Sequence, residues 1–401
     1  MCSDKRHRQL HMAGFGLNLL HVLNDGWMAS LPLLLPFIQK DIKIGFAGIG
    51  LLTGVLGLAG VVLSLPSAAI SKRFGGYRVL AGAVLLYSCA FALTAFATSS
   101  QFLLAAFVTA SIGFGLFHPV SFALVAHQSE AGTLGKRMGS FTAVGDIGRI
   151  AVSAALTVAV SLFAWRNTAL VYAIIPVVIL LILLGGTGRS PMWNRTETAS
   201  GSIRGLHANT RFILATASGF IDSLASSSLF VFLPFLYIMR GSSTALLGSL
   251  SGAFFIGNML GKILAGRITD SFGSKKIFIC SEILMCVLLV WLSLADTIPV
   301  MAAISVLLGA VTKGTVPVLN TIIVRSVADR RLIDPAFATG SFVNGIASVI
   351  SPLFLGFLSA KFGILVVFRA SACFALAAVI PMSLWKDTAI RHPVPDHEVP
   401  Q

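Results

Sequence analysis

Apolar stretches of about 20 residues recur along this chain, and they limit its possible folds more than any other feature. An α-helix needs about 20 apolar residues to cross the ~30 Å hydrocarbon core of a bilayer. Twelve such windows follow one another, approximately over residues 14–38, 47–70, 79–97, 102–126, 139–163, 169–186, 212–239, 246–269, 277–295, 300–324, 337–360 and 365–385. With 56% hydrophobic and 11% charged residues, the chain has too few polar groups to cover a soluble globule. The sequence therefore predicts an all-α membrane protein with twelve transmembrane helices.

The two halves of the chain repeat the same landmarks at a constant distance in sequence. Gly75 corresponds to Gly273 and Pro119 to Pro317, and the members of each pair are 198 residues apart. Duplicated sets of apolar helices are typical of transporters whose halves move around a shared site. We therefore expect two pseudo-symmetric six-helix bundles.

The duplication also predicts the domain organisation. The N-terminal bundle is expected over residues 14–187 and the C-terminal bundle over residues 211–385. Residues 188–210 are polar and basic and are expected to form a linker between the bundles. Residues 1–13 are expected to form an N-terminal segment and residues 386–401 a tail, and all three polar segments are expected on the cytoplasmic side.

Basic residues are distributed unevenly between the two sides of the predicted topology. Twenty lie on the side of the termini and six on the other side. Cytoplasmic loops carry an excess of Lys and Arg, so we expect a multi-pass protein of the inner (cytoplasmic) membrane with both termini in the cytoplasm. The same distribution accounts for the net charge of +14 without a nucleic-acid partner. The expected partners are a small-molecule substrate, protons and membrane lipid, and the expected assembly is a monomer.

The sequence shows no pattern typical of an enzyme. Its eight histidines are scattered, and its five cysteines have no metal or redox spacing. A nucleotide-binding loop of the form Gly-x-x-x-x-Gly-Lys-Ser/Thr is also absent from the sequence. We therefore expect no catalytic residues, no metal and no cofactor, with an ion gradient as the source of energy.

At least six charged residues fall inside the predicted helices. They are Asp25, Asp146, Arg149, Asp222, Lys262 and Lys313. Placing a charge in the membrane costs at least about 2.5 to 3.5 kcal/mol, so such residues face the protein interior and usually serve a function. Lys262 lies near the predicted cytoplasmic end of its helix, so it either extends its amine to the interface or belongs to a gate.

Asp25 is the preferred candidate for proton coupling. It lies about 16 Å along its helix from residue 14, at 1.5 Å per residue, with His21 one turn before it. Asp222 occupies the corresponding place in the second half, at an offset of 197 residues. A carboxyl group among apolar helices can exchange a proton in the physiological range. The alternative is a purely structural network in which Lys313 or Arg149 neutralises both acids.

Polar and cationic side chains in the same helices are expected to bind the substrate. The predicted set is Arg149, Lys313, Asp146, His118, Asn24 and Trp27. Guanidinium and ammonium groups suit carboxylate or phosphate groups, which favours an anionic or zwitterionic substrate. Asp146 precedes Arg149 by three residues, so it either forms a permanent ion pair with Arg149 or holds that guanidinium until the substrate arrives.

The segment GRITDSFGSKK, residues 266–276, contains the pattern Gly-x-x-x-Asp-x-x-Gly-x-Arg/Lys. It resembles the loops that follow the second and eighth helices in the major facilitator superfamily. That resemblance implies the major facilitator fold and a gating loop in each half. The implied gating residues are Gly266, Asp270, Gly273, Lys275, Arg73 and Gly75. The first copy departs from the pattern, because Lys72 stands at the acidic position and Tyr77 at the basic one.

Two shorter motifs resemble the fosmidomycin-resistance branch of this superfamily. They are HVLND with the following LPLLLPF, from residue 21 onwards, and FHP at residues 117–119. The resemblance implies proton-driven export, by antiport, of an amphipathic or phosphonate-like compound. The glycine-rich run ending in Gly-Pro that antiporters carry in the fifth helix is replaced here by GDIGR at residues 145–149.

The sequence as a whole predicts a secondary active transporter that moves a small amphipathic or anionic solute by alternating access, with proton-coupled efflux as the leading mechanism. A proton-coupled importer or a uniporter of an organic anion or metal-chelate is the alternative within transport. An enzyme or a receptor on the same scaffold is the alternative from another class. A receptor is expected to carry a large additional domain, whereas the predicted external loops have only a few residues.

Overall fold

A computed structural model describes the chain over residues 2–63, 66–127, 134–186, 206–327 and 332–386. Within these ranges the chain forms α-helices and two short 3-10 turns, and no strand is present. The helices are α1 Cys2–Leu33, α2 Leu35–Ile42, α3 Phe46–Leu63, α4 Ser67–Phe74, α5 Gly76–Ala95, α6 Ser100–His127, α7 Leu134–Gly186, α8 Thr210–Ser226, α9 Leu229–Met239, α10 Leu247–Phe272, α11 Ser274–Leu294, α12 Ile298–Ser326, α13 Ile333–Phe362 and α14 Leu365–Leu384.

The helices account for twelve membrane passes. In the described part of the chain, ten helices are long and apolar enough to cross a membrane. The longest of them, α7, bends at Ala164 and supplies two passes. The helix α1 is not among the ten, and together with α2 it supplies one more pass. The prediction of twelve transmembrane helices is confirmed. The backbone of α1 is already helical at Cys2, so the predicted separate segment before residue 14 continues the first helix.

The bend in α7 is held by side chains that follow it directly. Ala164 has φ 61° and ψ 159° there, a conformation that costs a residue with a Cβ atom free energy. The indole of Trp165 donates a hydrogen bond to Asp41 of α2 at 2.6 Å. Arg166 donates to two carbonyl groups at and just after the end of α5, at 3.0 and 2.8 Å. The bend is therefore bonded to two neighbouring passes.

Two loops that are 198 residues apart have the same backbone geometry. Gly75, between α4 and α5, has φ 87° and ψ 134°, and Gly273, between α10 and α11, has φ 84° and ψ 138°. Each glycine N–H donates to the carbonyl four residues earlier, at 2.8 and 3.0 Å. Residues with a Cβ atom rarely adopt such a positive φ, so both loops require glycine. The duplication seen in the sequence is therefore reproduced in the backbone.

The two six-helix bundles contact each other mainly through two pairs of helices, α3 with α13 and α7 with α10. Gly50 of α3 lies against the backbone of Pro352 in α13, and Gly248 of α10 lies against Ala154 in α7. A Cβ atom on either glycine would collide with these neighbours. Small residues three and four positions apart commonly allow membrane helices to approach this closely. The glycine-rich second and eighth passes thus form the contact surfaces between the bundles.

These close contacts lie toward one side of the membrane. Gly50 is in the second turn of α3 and Gly248 is in the first turn of α10. The helix α3 is the second membrane pass and α10 is the eighth, so both start on the side opposite the chain termini. The bundles therefore meet most closely on the side remote from the termini.

Candidate functional site

Glycines on α7 let α1 approach it closely enough for their polar groups to meet. Gly148 lies against the backbone of Val22 in α1. A Cβ atom on Gly145 would lie 2.5 Å from a carboxylate oxygen of Asp25 and 2.7 Å from ring atoms of His21. The segment GDIGR therefore has a structural role, because it combines the two glycines that permit this approach with two charged side chains.

Asp25 is the centre of a buried cluster in the N-terminal bundle. Its side chain is 3% exposed, and its Oδ2 lies 2.8 Å from an amino group of Arg149. The amide of Asn24 donates to Oδ1 at 2.8 Å. The Nε2 atoms of His118 and His21 lie 3.3 and 3.4 Å from the two carboxylate oxygens. Four of the predicted site residues thus surround the predicted coupling acid.

The orientation of His21 indicates where a proton can bind. Its Nδ1 lies 2.8 Å from the carbonyl oxygen of Phe141, and its ring stacks on the Phe141 ring with the centroids 4.0 Å apart. A carbonyl oxygen only accepts hydrogen bonds, so Nδ1 carries a hydrogen. In a neutral ring, Nε2 then presents a lone pair to Asp25. An attractive contact between His21 and Asp25 requires an additional proton on one of the two groups.

Asp146 extends the cluster into the other bundle. One of its oxygens accepts a hydrogen bond from Arg149 at 2.9 Å, and the other accepts one from the ammonium group of Lys262 at 2.6 Å. The Asp146 side chain is 1% exposed, and Lys262 belongs to α10 in the C-terminal bundle. The chain of contacts from Asp25 through Arg149 and Asp146 to Lys262 therefore links the two bundles inside the membrane.

A second acidic cluster lies in the C-terminal bundle. The buried carboxyl groups of Asp222 on α8 and Glu282 on α11 are within hydrogen-bonding reach of each other. The hydroxyl of Thr315 lies 3.5 Å from one oxygen of Asp222. Lys313, half-buried on α12, acts electrostatically on Asp222. Of the predicted residues, Asp222 and Lys313 thus belong together and lie in a different cluster from Asp25.

Trp27 lies apart from the Asp25 cluster. Its indole is buried and donates a hydrogen bond to the carbonyl of Tyr172, in the second arm of α7, at 2.7 Å. The two rings are in contact, with centroids 5.1 Å apart. The structure therefore places Trp27 in the packing of α1 against the sixth pass.

The predicted gating residues show contacts within their own bundle. The ammonium group of Lys275 donates to the carbonyls of Ser383 and Trp385, at 2.7 and 2.5 Å, and so binds the end of α14. Arg73 is exposed, and its guanidinium lies 5.3 Å from the centre of the Phe74 ring. Gly75 and Gly273 form the two equivalent loops. The Asp270 side chain and the surroundings of Gly266 lie outside the described part of the structure.

Three of the clustered side chains have the chemistry of metal ligands. Donor atoms of His21, Asp25 and His118 all lie within 4.8 Å of one another. Asp25, however, already bonds the guanidinium of Arg149 at 2.8 Å, and that positive charge opposes a divalent cation beside the same carboxylate. The arrangement suits a proton better than a metal ion.

Two residues of these clusters were not assigned to the site from the sequence. Lys262 interrupts the glycine-rich series of the eighth pass, which offered a choice between an interfacial lysine and a gate. Glu282 is an acid within the apolar run of α11, and that isolated charge is the signal that marks it. Neither contact follows from spacing along one helix, because the partner of each residue lies on another helix.

Sequence comparison identifies the family. The model of the Major Facilitator Superfamily matches residues 17–217 and, a second time, residues 215–400. The chain belongs to the major facilitator superfamily. Proteins of this superfamily are transporters and not enzymes, so this superfamily member is a multi-pass membrane transporter. No curated protein sequence matches it.

Solved structures of transporters share the fold of this superfamily member. A D-xylose-proton symporter is 15% identical, with a TM-score of 0.73 over 93% of this chain and 98% of its own. A mutant form of the nucleoside transporter NupG is 15% identical, with a TM-score of 0.74 over 93% and 99%. A bacterial homologue of the human lysosomal transporter Spinster, inward-facing and unoccupied, is 15% identical, with a TM-score of 0.69 over 94% and 95%. These similarities confirm the major facilitator fold.

Proposed function

We propose that this protein is a proton-coupled secondary transporter that moves a small amphipathic or anionic solute by alternating access. The observation that carries the proposal is the chain of contacts from Asp25 to Lys262, because it is buried in the membrane and joins the two bundles. Buried ion pairs contribute little net stability, since desolvation offsets their attraction. Charges retained at this depth usually serve transport.

An anionic group on the solute is expected to compete with Asp146 for its two cations. The carboxylate of Asp146 bonds Arg149 at 2.9 Å and Lys262 at 2.6 Å. A carboxylate or phosphonate group on a solute offers the same acceptor atoms to both cations. Asp146 thus occupies the place that the substrate takes, and its displacement breaks the ion pair that joins the bundles. Lys313 is the further cation proposed to attract the solute.

Asp25 and His21 are the proposed proton-coupling residues. A proton on Asp25 removes the charge that holds Arg149 at 2.8 Å. Arg149 is shared between Asp25 and Asp146, so a change in charge at one acid alters the hold on the other. Proton binding and solute binding are therefore coupled through one guanidinium group.

The proposed orientation follows from the distribution of basic residues. Their excess on the side of the termini supports the proposal that both termini lie in the cytoplasm and that the protein lies in the inner membrane. Residues 14–187 and 211–385 are the proposed moving bodies, joined by the segment 188–210, and the protein acts as a monomer in lipid. The close contacts of the bundles then lie on the outer side of the membrane.

Export is the first candidate for the direction of transport, and it rests on the resemblance to the fosmidomycin-resistance branch. An amphipathic solute that binds beside an ionised Asp25 competes with the proton, as exchange requires.

Import of an organic anion with protons is the second candidate, and the shared guanidinium favours it. Protonation of Asp25 frees Arg149 for an anion, so proton and anion bind together. The similar fold of a D-xylose-proton symporter is consistent with such co-transport.

Gradient-driven transport in proteoliposomes tests the proposal, with radiolabelled fosmidomycin as the first probe. If a thermal-shift assay shows that it does not bind, a screen of metabolites and antibiotics at two pH values selects the probe. An exchanger accumulates the probe in vesicles with an acidic lumen, whereas a symporter does so when the outside is acidic. Accumulation that is the same with and without a proton gradient would contradict proton coupling.

Asp25→Asn tests the coupling residue within the same assay. The variant is expected to lose gradient-driven accumulation and to keep counterflow, because an amide cannot exchange the proton but still fills the site. Asp296→Asn is the control, since Asp296 is 76% exposed and pairs with Arg240 outside the cluster. Undiminished uphill transport by Asp25→Asn would exclude Asp25 as the coupling acid.

A further inference from the structure

We propose that Asp222 and Glu282 form a carboxyl pair that binds one shared proton, and that transport uses this proton in the C-terminal bundle. The inference rests on the proton coupling proposed above. It concerns other residues in the other bundle, however, and its first test needs no transport measurement.

The geometry of the pair leaves its oxygens without donors. Glu282 is completely buried on α11, and neither of its carboxylate oxygens has a hydrogen-bond partner among the described residues. Asp222 is 5% exposed, and its Oδ1 also lacks a partner there. The two carboxyl groups are within hydrogen-bonding reach of each other. The natural partner of each carboxyl is therefore the other one.

Two ionised carboxylates in such a place would repel each other strongly. A carboxyl pair that shares a site accommodates this by keeping one proton, which then forms a hydrogen bond between the two groups. The shared proton supplies the missing donor and reduces the charge of the pair from two to one. A buried polar group without a partner is costly, so the observed arrangement favours the singly protonated pair.

The charged groups around the pair support a single negative charge. On α12, the ammonium group of Lys313 acts on Asp222 and balances one charge. The other described cations of the packed helices are engaged elsewhere or lie near helix ends. Lys262 of α10 binds Asp146, Lys275 of α11 binds the end of α14, and Arg211 of α8 binds the carbonyl of Arg325. By position, Lys276 is in the first turn of α11, Arg325 in the last turn of α12, Lys361 in the last turn of α13 and Arg369 in the second turn of α14. The described side chains thus provide one positive charge for two carboxyl groups.

The proposed step is the transfer of this proton to water. The O–H bond of the protonated carboxyl breaks, its electron pair stays on the carboxylate oxygen, and the proton passes to a water molecule. Two carboxylates then face each other, with Lys313 compensating one. Both carboxyl groups are buried in the described conformation, so the proton is retained there and is released when the bundle rearranges.

Infrared difference spectroscopy of the purified protein in nanodiscs tests for the shared proton directly. At neutral pH the wild type is expected to show the carbonyl band of a protonated carboxyl group, and this band should disappear at alkaline pH. Glu282→Gln and Asp222→Asn are each expected to lose the band, since the remaining acid ionises beside Lys313. Asp296→Asn and Asp25→Asn are the controls that should keep it.

A band of wild-type size in both pair variants, or no protonated carboxyl band in the wild type at neutral pH, would overturn the proposal. Because two separate variants remove the proton, failure of one of them to fold leaves the other as the test. Both amides have nearly the shape of the acids that they replace, and thermal unfolding identifies a misfolded variant.

Transport of the probe selected above tests the role of the proton. Glu282→Gln is expected to reduce gradient-driven accumulation about tenfold and to keep counterflow. Wild-type accumulation by a variant that has lost the infrared band would overturn the coupling role of the pair. If the wild type itself ignores the proton gradient, the general proposal of proton coupling fails, and the infrared result then stands as a separate finding on the pair.

Discussion

The two bundles hold their equivalent acids in opposite ways. Asp25 of the N-terminal bundle has nitrogen atoms of four side chains within 3.4 Å, among them Arg149 at 2.8 Å. Asp222 of the C-terminal bundle faces Glu282, and three of the four oxygens of that pair lack a partner among the described residues. The duplication has kept an acid in the first helix of each bundle, but the two acids have different chemistry. One is held by a cation, and the other is arranged to hold a proton.

The third membrane pass of each bundle, α5 in one and α11 in the other, shows the same divergence. Tyr87 of α5 is fully buried, its hydroxyl has no partner among the described residues, and it lies within electrostatic range of Asp25. Glu282 occupies a nearby position on the equivalent helix α11 and faces Asp222. In each bundle a buried polar side chain of the third membrane pass therefore interacts electrostatically with the acid of the first pass. A phenol does this in one bundle and a carboxyl group in the other.

The largest expected effect comes from Arg149→Ala, which leaves Asp25 and Asp146 buried without their shared cation. Removing one partner of a buried ion pair costs about 3 to 5 kcal/mol. We expect a lower unfolding temperature by scanning fluorimetry and loss of solute accumulation. Lys313→Ala is the matched variant of the other bundle, and it should destabilise less because a proton can neutralise its carboxyl pair. Equal destabilisation by both variants would show that the two bundles neutralise their buried acids in the same way.

Gly145→Ala should have the next largest effect. The added Cβ atom would lie 2.5 Å from an oxygen of Asp25 and 2.7 Å from His21, so the cluster must shift. Overpacking of this kind costs about 1 to 3 kcal/mol, which thermal unfolding and proton-driven uptake would detect. Gly82→Ala is the control, because a Cβ atom there meets nothing within 4 Å. A Gly145→Ala protein that behaves like Gly82→Ala would mean that the close approach of α1 is dispensable.

Lys262→Met tests the link between the bundles. It removes the ion pair with Asp146 and leaves the pair of Asp146 with Arg149, so the population should shift about tenfold toward the conformation with separated bundles. Distances between spin labels on the first turns of α5 and α11, which both begin on the side of the termini and belong to different bundles, would measure the shift. Lys275→Met, which loses a contact within one bundle, should leave these distances unchanged. Identical distance distributions for both variants would argue against a link at Lys262.

The smallest expected effect concerns a feature that the bundles share. Gly75→Ala and Gly273→Ala each place a Cβ atom on a residue with φ above 80°, at a cost of about 1 to 2 kcal/mol. Because the two loops have the same geometry, we expect equal losses of thermal stability from the two substitutions. Unequal losses would show that the bundles differ in their loops as well as in their acids.

The fold was predictable because its signals are local in sequence. Runs of about 20 apolar residues indicated the passes, and the landmarks repeated at an offset of 198 residues predicted two equivalent loops at Gly75 and Gly273. The contact of His21 with Asp25 was also predictable, because residues four positions apart share a helix face. The His118 contact required the relative placement of α1 and α6, which the sequence does not state.

The contacts between helices were only partly predictable. The pairing of Asp146 with Arg149 follows from their spacing on one helical turn, and the structure adds Lys262 of the other bundle at 2.6 Å. The rotation of each helix decides which side chains meet, and that rotation depends on packing over the whole bundle. For the same reason Trp27, a predicted substrate residue, lies against Tyr172, and Glu282 faces Asp222.

The bend at Ala164 has a mechanical consequence. Trp165 and Arg166 fasten this corner to α2 and to the end of α5, so the arm of α7 with Asp146 and Arg149 cannot tilt alone. A force that Lys262 exerts on Asp146 is therefore transmitted through this bonded bend to the neighbouring passes. The N-terminal bundle should therefore rotate as one rigid body, because the bonded bend at residue 164 holds its passes together.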